Sequence, residues 1–543
     1  MKGTSSAPQE QVGSTAAAVG TVLLILGAAQ FLMVLDTSVM NVSIVTVAED
    51  VGTTVTGIQG AITLFTLVMA TLMITGGKLG TIYGRRRIFN IGLVIYAIGS
   101  LTTALAPNLT VLLIGWSLLE GMGAALIMPA IVALVAGNVA ADQRPRAYGL
   151  IAAAGAVAVA VGPLIGGAAT TYFSWRWVFA GEVLIAATIF VMARRLADAP
   201  NETKARIDLV GTLFTIVGLG SIVYGVLRSS EWGWVMPKAG APSLAGVSPT
   251  LWLIILGILV IWLFGLWERR VLERGGEPLV LPGTLKNVQL SGGLMMFFFQ
   301  FLLQGGYFFI VPLFLSVVLE LNALETGVRL VPLSLALIFA AAGIPKAWPM
   351  ASPRRVVRIG VSLMLVGLVT LLAGIDLDAS AAVVAVPMLL MGLGMGALAS
   401  QLGAVAVSAL PSERSGEVGG LQNTASNLGV SLGTALAGSV LIAALTTSFI
   451  SGIQQNPQVP AEVKSQASVE LAAGIPFISD TDLESAMVEA GASDDVVDAV
   501  VAENSEARVT GLKSALAILA LLAMLSLFFT DRIPTTQGAT STE

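Results

Sequence analysis

The chain has 543 residues, of which 55% are hydrophobic and only 11% are charged, whereas a soluble domain carries about 25% charged residues. It contains no cysteine and no histidine, which excludes disulfides, thiolate metal sites and histidine as a proton carrier. Gly77-Lys78 is followed by Leu79, so no phosphate-binding loop of an ATP-driven pump is present. We therefore expect a membrane protein that is not an enzyme, binds no metal, cofactor or nucleic acid, and draws its energy from an ion gradient.

The apolar stretches predict an all-α membrane protein. Residues 1–18 are polar and predict a short tail. Fourteen stretches that follow have about the length that a helix needs to cross a bilayer. They cover residues 19–47, 55–80, 88–106, 109–136, 147–172, 177–196, 208–228, 250–270, 288–319, 327–345, 356–375, 380–409, 418–448 and 511–529.

The basic residues predict the orientation of these spans. If the N-terminus is cytoplasmic, 21 of the 28 Lys and Arg residues fall on the inner side, as the positive-inside rule requires. Both termini are then cytoplasmic, and the chain is a multi-pass protein of the cell (inner) membrane. The net charge of −5 comes from the loop 449–510, which holds eleven acids and two bases and lies outside.

A faint internal repeat predicts two related halves. Residues 77–87 and 345–355 each begin with a small residue and a lysine and end with arginines at the same offset. Paired halves are a common transporter architecture. We expect a six-helix bundle at 19–206, two linking helices at 207–272, and a second six-helix bundle at 273–543 that carries the acidic loop.

Two carboxylates lie at matching depth inside the predicted spans. Asp36 is eleven residues from the outer end of span 1 and Glu120 is eleven residues from the outer end of span 4, which is about 16 Å in each case. Ionisable residues inside a membrane are functional candidates, and two neighbouring carboxylates in low dielectric favour proton binding. Glu182, nearer the outer surface, is either a second proton site or an outer-gate partner of Arg176.

Five motifs, in the right order over nearly the whole chain, resemble the fourteen-helix drug:proton antiporters of the major facilitator superfamily. They are L-D-T-S-V-M-N-V-S-I-V-T (35–46), G-K-L-G-T-I-Y-G-R-R-R (77–87), Gly155 with G-P-L-I-G-G (162–167), S-W-R-W-V-F (174–179) and E-V-G-G-L-Q-N-T-A-S-N-L-G-V-S-L-G (417–433). Thr81 stands where the family usually has Asp, and Ser117 stands where it usually has Arg, so this chain resembles a divergent subgroup.

The resemblance implies the major facilitator fold and a proton-coupled antiporter that exports lipophilic drug-like compounds, as in multidrug efflux and antibiotic resistance. It implies that spans 1 and 4 line a central cavity. It also implies two sets of conformational residues. One set forms a latch between the halves, weakened here by Thr81, and comprises Gly77, Gly84, Arg85 and Arg86. The other forms a tight helix seam and comprises Gly155, Gly162, Pro163, Gly166 and Gly167.

Methionines, aromatic residues and amides at helical spacing suggest a pocket that tolerates many shapes, although lipid-facing or ordinary packing explains much of the same pattern. The candidates are Met33, Thr37, Met40, Asn41, Met296, Gln300, Gln304, Tyr307, Gln422, Asn423 and Ser426. Glu320, Glu325 and Arg329, with Arg176, are candidates for an outer gate or a loop salt bridge.

The most consistent interpretation is a monomeric exporter that exchanges a lipophilic small molecule for protons. Two alternatives stay open at this point. One is export of a metabolite, an amino acid or a lipid, and the other is a membrane receptor that transports nothing.

Overall fold

The computed structural model describes residues 16–140, 143–198, 207–238, 240–410, 415–461, 464 and 476–536. Within these residues fourteen helices are long and apolar enough to cross a bilayer, which confirms the predicted fold class. They are α1 (Val19–Val42), α2 (Val55–Tyr83), α3 (Arg85–Ala104), α4 (Leu109–Val135), α5 (Ala147–Tyr172), α6 (Arg176–Arg195), α7 (Leu209–Trp232), α8 (Pro249–Glu273), α9 (Val288–Val318), α10 (Ala323–Ala347), α11 (Pro353–Gly374), α12 (Ala381–Ala406), α13 (Glu417–Gln455) and α14 (Asp494–Arg532).

The two ends of the helix bundle differ in charge. We call the end at which α1 begins the basic face, since it carries Lys78, Arg85, Arg86 and Arg87. The opposite end is the acidic face. Asp50 and Asp480 lie on it, together with Glu320.

Two local departures from the predicted helices lie close to the candidate acids. The first span ends at Val42 and a separate helix, Ile44–Asp50, follows, where the sequence predicts one helix to residue 47. At the break, the hydroxyl groups of Ser43 and Thr170 lie 2.7 Å apart in a hydrogen bond. In α4 the segment Leu113–Glu120 is π-helical. π-Helical segments within α-helices are frequent at functional sites. The apolar pattern of the sequence does not predict them.

Within each half, the helices pack extensively on one another. In the first half α1 packs on α5, and α3 packs on α4 and α6. In the second half α9 packs on α13, and α12 packs on α10 and α11. The linking helices α7 and α8 pack on each other, and α7 also contacts α2 and α13. The predicted tail lies almost entirely outside the described residues, as does the boundary at 206, and the domain limits stay predictions.

The halves meet along two seams, α5 with α10 and α2 with α13. In the α2–α13 seam, Gln59 donates its side-chain amide to the carbonyl of Thr434 at 3.0 Å, and Ser431 donates its hydroxyl to the carbonyl of Thr63 at 3.0 Å. Both partners are backbone groups of a facing helix. Hydrogen bonds of this kind join membrane helices where small residues allow the backbones to approach.

The acidic loop is partly helical and is fixed to the second half. A helix runs from Asp480 to Glu489, with Leu483 and Met487 packed on the core and Val488 exposed. α14 begins at Asp494 rather than near residue 511, so residues 494–510 of the loop extend the membrane helix. Residues 462–463 and 465–475 of the predicted loop lie outside the described residues.

Buried Arg508 holds the end of this loop in place. It pairs with Asp480 at 2.5 Å and donates to the carbonyls of Val317 and Ile478 at 3.1 and 2.9 Å. One guanidinium therefore joins α14 to the end of α9 and to the loop.

Candidate functional site

Three acids from three helices of the first half come together in the interior. Asp36 on α1, Glu120 on α4 and Glu182 on α6 are at most 1% exposed. Each places a carboxylate oxygen within 4.8 Å of the others. The sequence predicts Asp36 and Glu120 at matching depth, and the structure adds Glu182 to them. We call these three residues the acid cluster.

Hydrogen bonds hold one oxygen of each acid. The indole N–H of Trp116 donates to Asp36 Oδ1 at 2.8 Å, and the hydroxyl of Thr103 donates to Glu120 Oε1 at 2.8 Å. Tyr96 and Ser100 donate to Glu182 Oε2 at 2.8 and 3.1 Å. These donors lie outside the five sequence motifs. Three of them lie on α3 at spacings of four and three residues, a helical stripe that the sequence itself contains.

The other oxygen of each acid has no protein partner among the described residues. Asp36 Oδ2, Glu120 Oε2 and Glu182 Oε1 are buried without a hydrogen bond, and no described ion pair involves any of the three acids. Three uncompensated negative charges in a sealed interior are very unfavourable. The cluster therefore needs protons or a cation.

The geometry also allows the three acids to hold a small cation. When three oxygens lie within 4.8 Å of one another, some point lies within about 2.8 Å of all three, close to the 2.3–2.6 Å of calcium–oxygen bonds. Proton binding and cation binding are the two chemistries that these residues support.

The carboxylates point into the first half. The described donors to the cluster come from α3 and α4, and the ring of Trp116 stacks on Phe65 of α2 at 4.9 Å between centroids. This differs from carboxylates facing a central cavity, which the resemblance suggests for α1 and α4. Glu182 also does not pair with Arg176. Arg176 instead binds Asp50 at 2.5 Å and the carbonyl of Ala106 at 3.0 Å.

The glycines of α5 lie against two different helices. Cβ atoms added at Gly155, Gly162 and Gly166 would meet Gln30, Ser38 and Val39 of α1 at 3.4, 2.5 and 2.9 Å. On the other side, a Cβ at Gly167 would lie 2.5 Å from the carbonyl oxygen of Ala323 in α10, and Pro163 faces Gly327 there. α5 thus packs tightly between the helix that carries Asp36 and a helix of the second half.

The basic motif after α2 makes most of its described contacts within the first half. Gly84 has φ +98°, which favours glycine at the turn into α3. Arg85 donates to the carbonyl of Ala133 at 3.2 Å, and Arg86 donates to that of Leu196 at 3.0 Å. Lys78, beside Gly77, reaches further and donates to the carbonyls of Glu277 and Pro278 in the segment before α9. The latch between halves stays a prediction.

The predicted cluster of outer-gate charges separates in the structure. Glu320 accepts hydrogen bonds from the amide and hydroxyl of Thr481 at 3.2 and 2.8 Å. Glu325 forms a capping box with Asn322 at the start of α10. Arg329 is exposed, and no described ion pair joins it to either acid. The salt bridge predicted for these residues is therefore not formed.

The pocket candidates divide into two groups. On α9, Met296, Gln300 and Tyr307 are buried and Gln304 is half-buried, and both Gln300 Oε1 and Tyr307 Oη lack a partner. On α1 the amide of Asn41 donates to the carbonyl of Thr37, and on α13 the hydroxyl of Ser426 donates to that of Gln422, each within its own helix. Asn423 is half-buried, and Met33 and Met40 are buried. The unpaired polar atoms of α9 are the stronger candidates for contacting a ligand.

Comparison with known proteins places the chain in a family. The model of the Major Facilitator Superfamily matches residues 26–434. The chain is 30% identical over 441 residues to the puromycin resistance protein pur8 of Streptomyces alboniger, covering 80% of this chain and 84% of that one. It is 26% identical to the multidrug efflux pump LfrA of Mycolicibacterium smegmatis, covering 81% and 82%.

Two further similarities agree with this placement. The tetracenomycin C resistance and export protein of Streptomyces glaucescens is 27% identical, covering 77% of this chain and 75% of that one. A solved bacterial homolog of the human lysosomal transporter Spinster has a similar fold, with a TM-score of 0.60 at 14% identity over 97% of this chain and 100% of that one. The chain therefore belongs to the major facilitator superfamily, a family of membrane transporters.

Proposed function

We propose that this protein is a monomeric proton-coupled antiporter that exports lipophilic drug-like compounds, cationic or neutral, across the cell membrane. The names of its relatives, a resistance protein, a multidrug pump and a resistance and export protein, support the substrate class. The basic face supports a cytoplasmic location for both termini. The acid cluster is the observation that carries proton coupling.

The acid cluster supplies the coupling chemistry. Three carboxylates that share a sealed space cannot all be ionised without a bound cation, and in this proposal at least part of the cluster holds protons. Each acid keeps one oxygen fixed by a donor and one oxygen free. The free oxygens are the atoms that take and release protons in this proposal.

A path of close contacts runs from the cluster to the interface between halves. Asp36 lies on α1, whose next residues pack against Gly162 and Gly166 of α5. On its other side, α5 packs with Gly167 against α10 of the second half. Because backbones in such close contact have little freedom to adjust independently, a shift of α1 on protonation is passed to the α5–α10 seam. Proton binding and rearrangement of the halves are thereby linked.

Dye efflux in everted membrane vesicles tests the proposal. With a pH gradient imposed, the wild type accumulates a lipophilic cationic dye, and Asp36→Asn and Glu120→Gln lose this activity. Glu231→Gln removes an exposed acid that pairs with Arg228 and serves as the matched control. Normal pH-driven accumulation by Asp36→Asn would contradict the assignment.

The same vesicles separate proton coupling from cation coupling. Dye uptake driven by a sodium or calcium gradient at equal pH on both sides would assign the cluster to a cation instead. Uptake that is abolished by a protonophore and insensitive to those gradients supports protons.

Export of a natural product is the second candidate, and the relative named for tetracenomycin C resistance and export favours it. Adding polyketide or other secondary metabolites as competitors of dye uptake distinguishes the two. Strong competition by such a compound, with weak competition among dyes, would favour a dedicated metabolite exporter.

A further inference from the structure

A groove of about 530 Å³ opens on the basic face between the start of α3 and the end of α6, a volume within the range of small-molecule sites. Its mouth is polar and is lined by Arg86, Arg87 and Asp198. The rest of its lining is mostly apolar, with Ile91, Val94 and Phe190, and it also contains the side chain of Asn90. The groove shares no lining residue with the acid cluster or with the pocket candidates of α9.

The mouth of the groove is strongly basic. Arg86 is held in place by its hydrogen bond to the carbonyl of Leu196, and Arg87 is exposed. Arg194 and Arg195 end α6 beside it and are exposed as well. Asp198, the one acid among the described lining residues, already accepts the backbone N–H of Arg86 at 3.1 Å. The described residues at the mouth therefore present a net positive charge to a molecule that enters from the membrane surface.

The rest of the groove lies along membrane-spanning helices. Ile91 and Val94 are 41% and 45% exposed, although both are large apolar residues on α3. A small soluble anion would contact the arginines but not the apolar part of the groove. An apolar drug would contact the apolar part but would not pair with the arginines. A molecule with an anionic head and a hydrocarbon tail satisfies both parts.

We propose that this groove binds an anionic phospholipid, with its phosphate at Arg86 and Arg87 and an acyl chain along Ile91, Val94 and Phe190. Basic pockets between membrane helices at the cytoplasmic surface recognise lipid head groups in this way, and guanidinium groups suit phosphate oxygens. The groove runs to Ile95, the residue before Tyr96, which holds Glu182. A bound lipid thus packs beside the helix pair that carries half of the cluster's hydrogen bonds.

Native mass spectrometry of the full chain in detergent tests the proposal with phosphatidylglycerol as probe and phosphatidylcholine as reference. Two variants change different parts of the groove. Arg87→Gln removes an exposed charge that makes no described hydrogen bond, and Val94→Trp fills the apolar groove while both arginines remain. The matched controls are Arg270→Gln and Ile258→Trp, both exposed on α8 and outside the lining of the groove.

We expect phosphatidylglycerol to bind at least about tenfold more tightly than phosphatidylcholine. Each groove variant should remove most of this preference, and both controls should keep it. Retained preference in Arg87→Gln and Val94→Trp would overturn the proposal. So would full competition by inorganic phosphate or glycerol phosphate, which would indicate a phosphate site without a lipid tail. Elution of each variant as a single species in size-exclusion chromatography confirms that the comparison is between folded proteins.

Discussion

The indole of Trp116 on α4 donates a 2.8 Å hydrogen bond to Oδ1 of Asp36 on α1. The same ring lies nearly parallel to that of Phe65 on α2, with an interplanar angle of 3°. Trp116 is fully buried. It therefore fixes the orientation of Asp36 while it closes the space between three helices of the first half.

Trp116→Phe should keep most of the ring packing and remove the indole donor. A hydrogen bond to a charged group contributes about 1.5–3 kcal/mol, so we expect roughly a tenfold or larger fall in pH-driven dye uptake. Uptake measured over a range of pH in proteoliposomes checks this. Trp234→Phe, at an exposed tryptophan, is the control, and equal activity of both variants would contradict a role for the donor.

Glu182→Gln should raise thermal stability while it impairs coupling. Glutamine keeps an acceptor for Tyr96 and Ser100 and removes one of the three acids of the cluster, and replacing buried charge is often stabilising. We expect the melting temperature to rise by about 1–3 °C. Glu231→Gln removes an exposed acid and should leave the melting temperature nearly unchanged. A large fall for Glu182→Gln would show that its charge is needed for folding.

Gly167→Ala should open the α5–α10 seam. Its new Cβ would lie 2.5 Å from the carbonyl oxygen of Ala323, and overpacking of this kind costs about 1–3 kcal/mol. The chain has no cysteine, so a Thr171→Cys/Leu324→Cys pair reports directly on the seam, where Thr171 Oγ1 accepts the amide of Leu324 at 3.1 Å. Disulfide yield should fall in the Gly167→Ala background.

Gly181→Ala is the matched control for the seam, because a Cβ at Gly181 has no atom within 4 Å. It should leave the disulfide yield unchanged. Equal yields in the two alanine variants would show that Gly167 does not set the approach of α5 and α10.

Two ion pairs of equal length should differ in their contribution to stability. Arg508–Asp480 and Arg176–Asp50 are both 2.5 Å, but the Arg508 side chain is 1% exposed and that of Arg176 is 30% exposed. Asp480→Asn leaves a buried guanidinium without its counter-charge and should cost about 2–3 kcal/mol. Asp50→Asn should cost less than about 1 kcal/mol. Thermal unfolding in detergent measures both, and similar losses would contradict the argument.

The number and order of the membrane helices follow from the sequence because each span carries its own signal. A helix in a bilayer satisfies its backbone groups internally, so length and apolarity suffice to locate it. The described residues contain the fourteen spans that the sequence predicts. Asp36 and Glu120 can be recognised from the sequence because each interrupts an apolar span. An acid inside an apolar run is rare, and counting residues along two helices gives their depth.

The partners of those acids depend on how the helices rotate and pack. The depth of a residue along its helix does not give this information. Glu182 looks like a surface-near residue in the sequence, yet the packing of α6 on α3 brings it to Tyr96 and into the cluster. The break at Ser43 and the π-helical segment before Glu120 are likewise set by tertiary contacts. They change the direction of a side chain without changing the apolar pattern.

The class of protein, its fourteen spans, its family motifs and the matching depth of Asp36 and Glu120 follow from the sequence, because they depend on local composition and spacing. The packing of the helices adds Glu182 to the acid cluster, directs Arg176 and Glu320 to other partners, and places α5 between α1 and α10. These results do not follow from the sequence pattern because a side chain's partners come from the rotation and approach of separate helices. Those depend on many weak contacts between residues far apart in the chain.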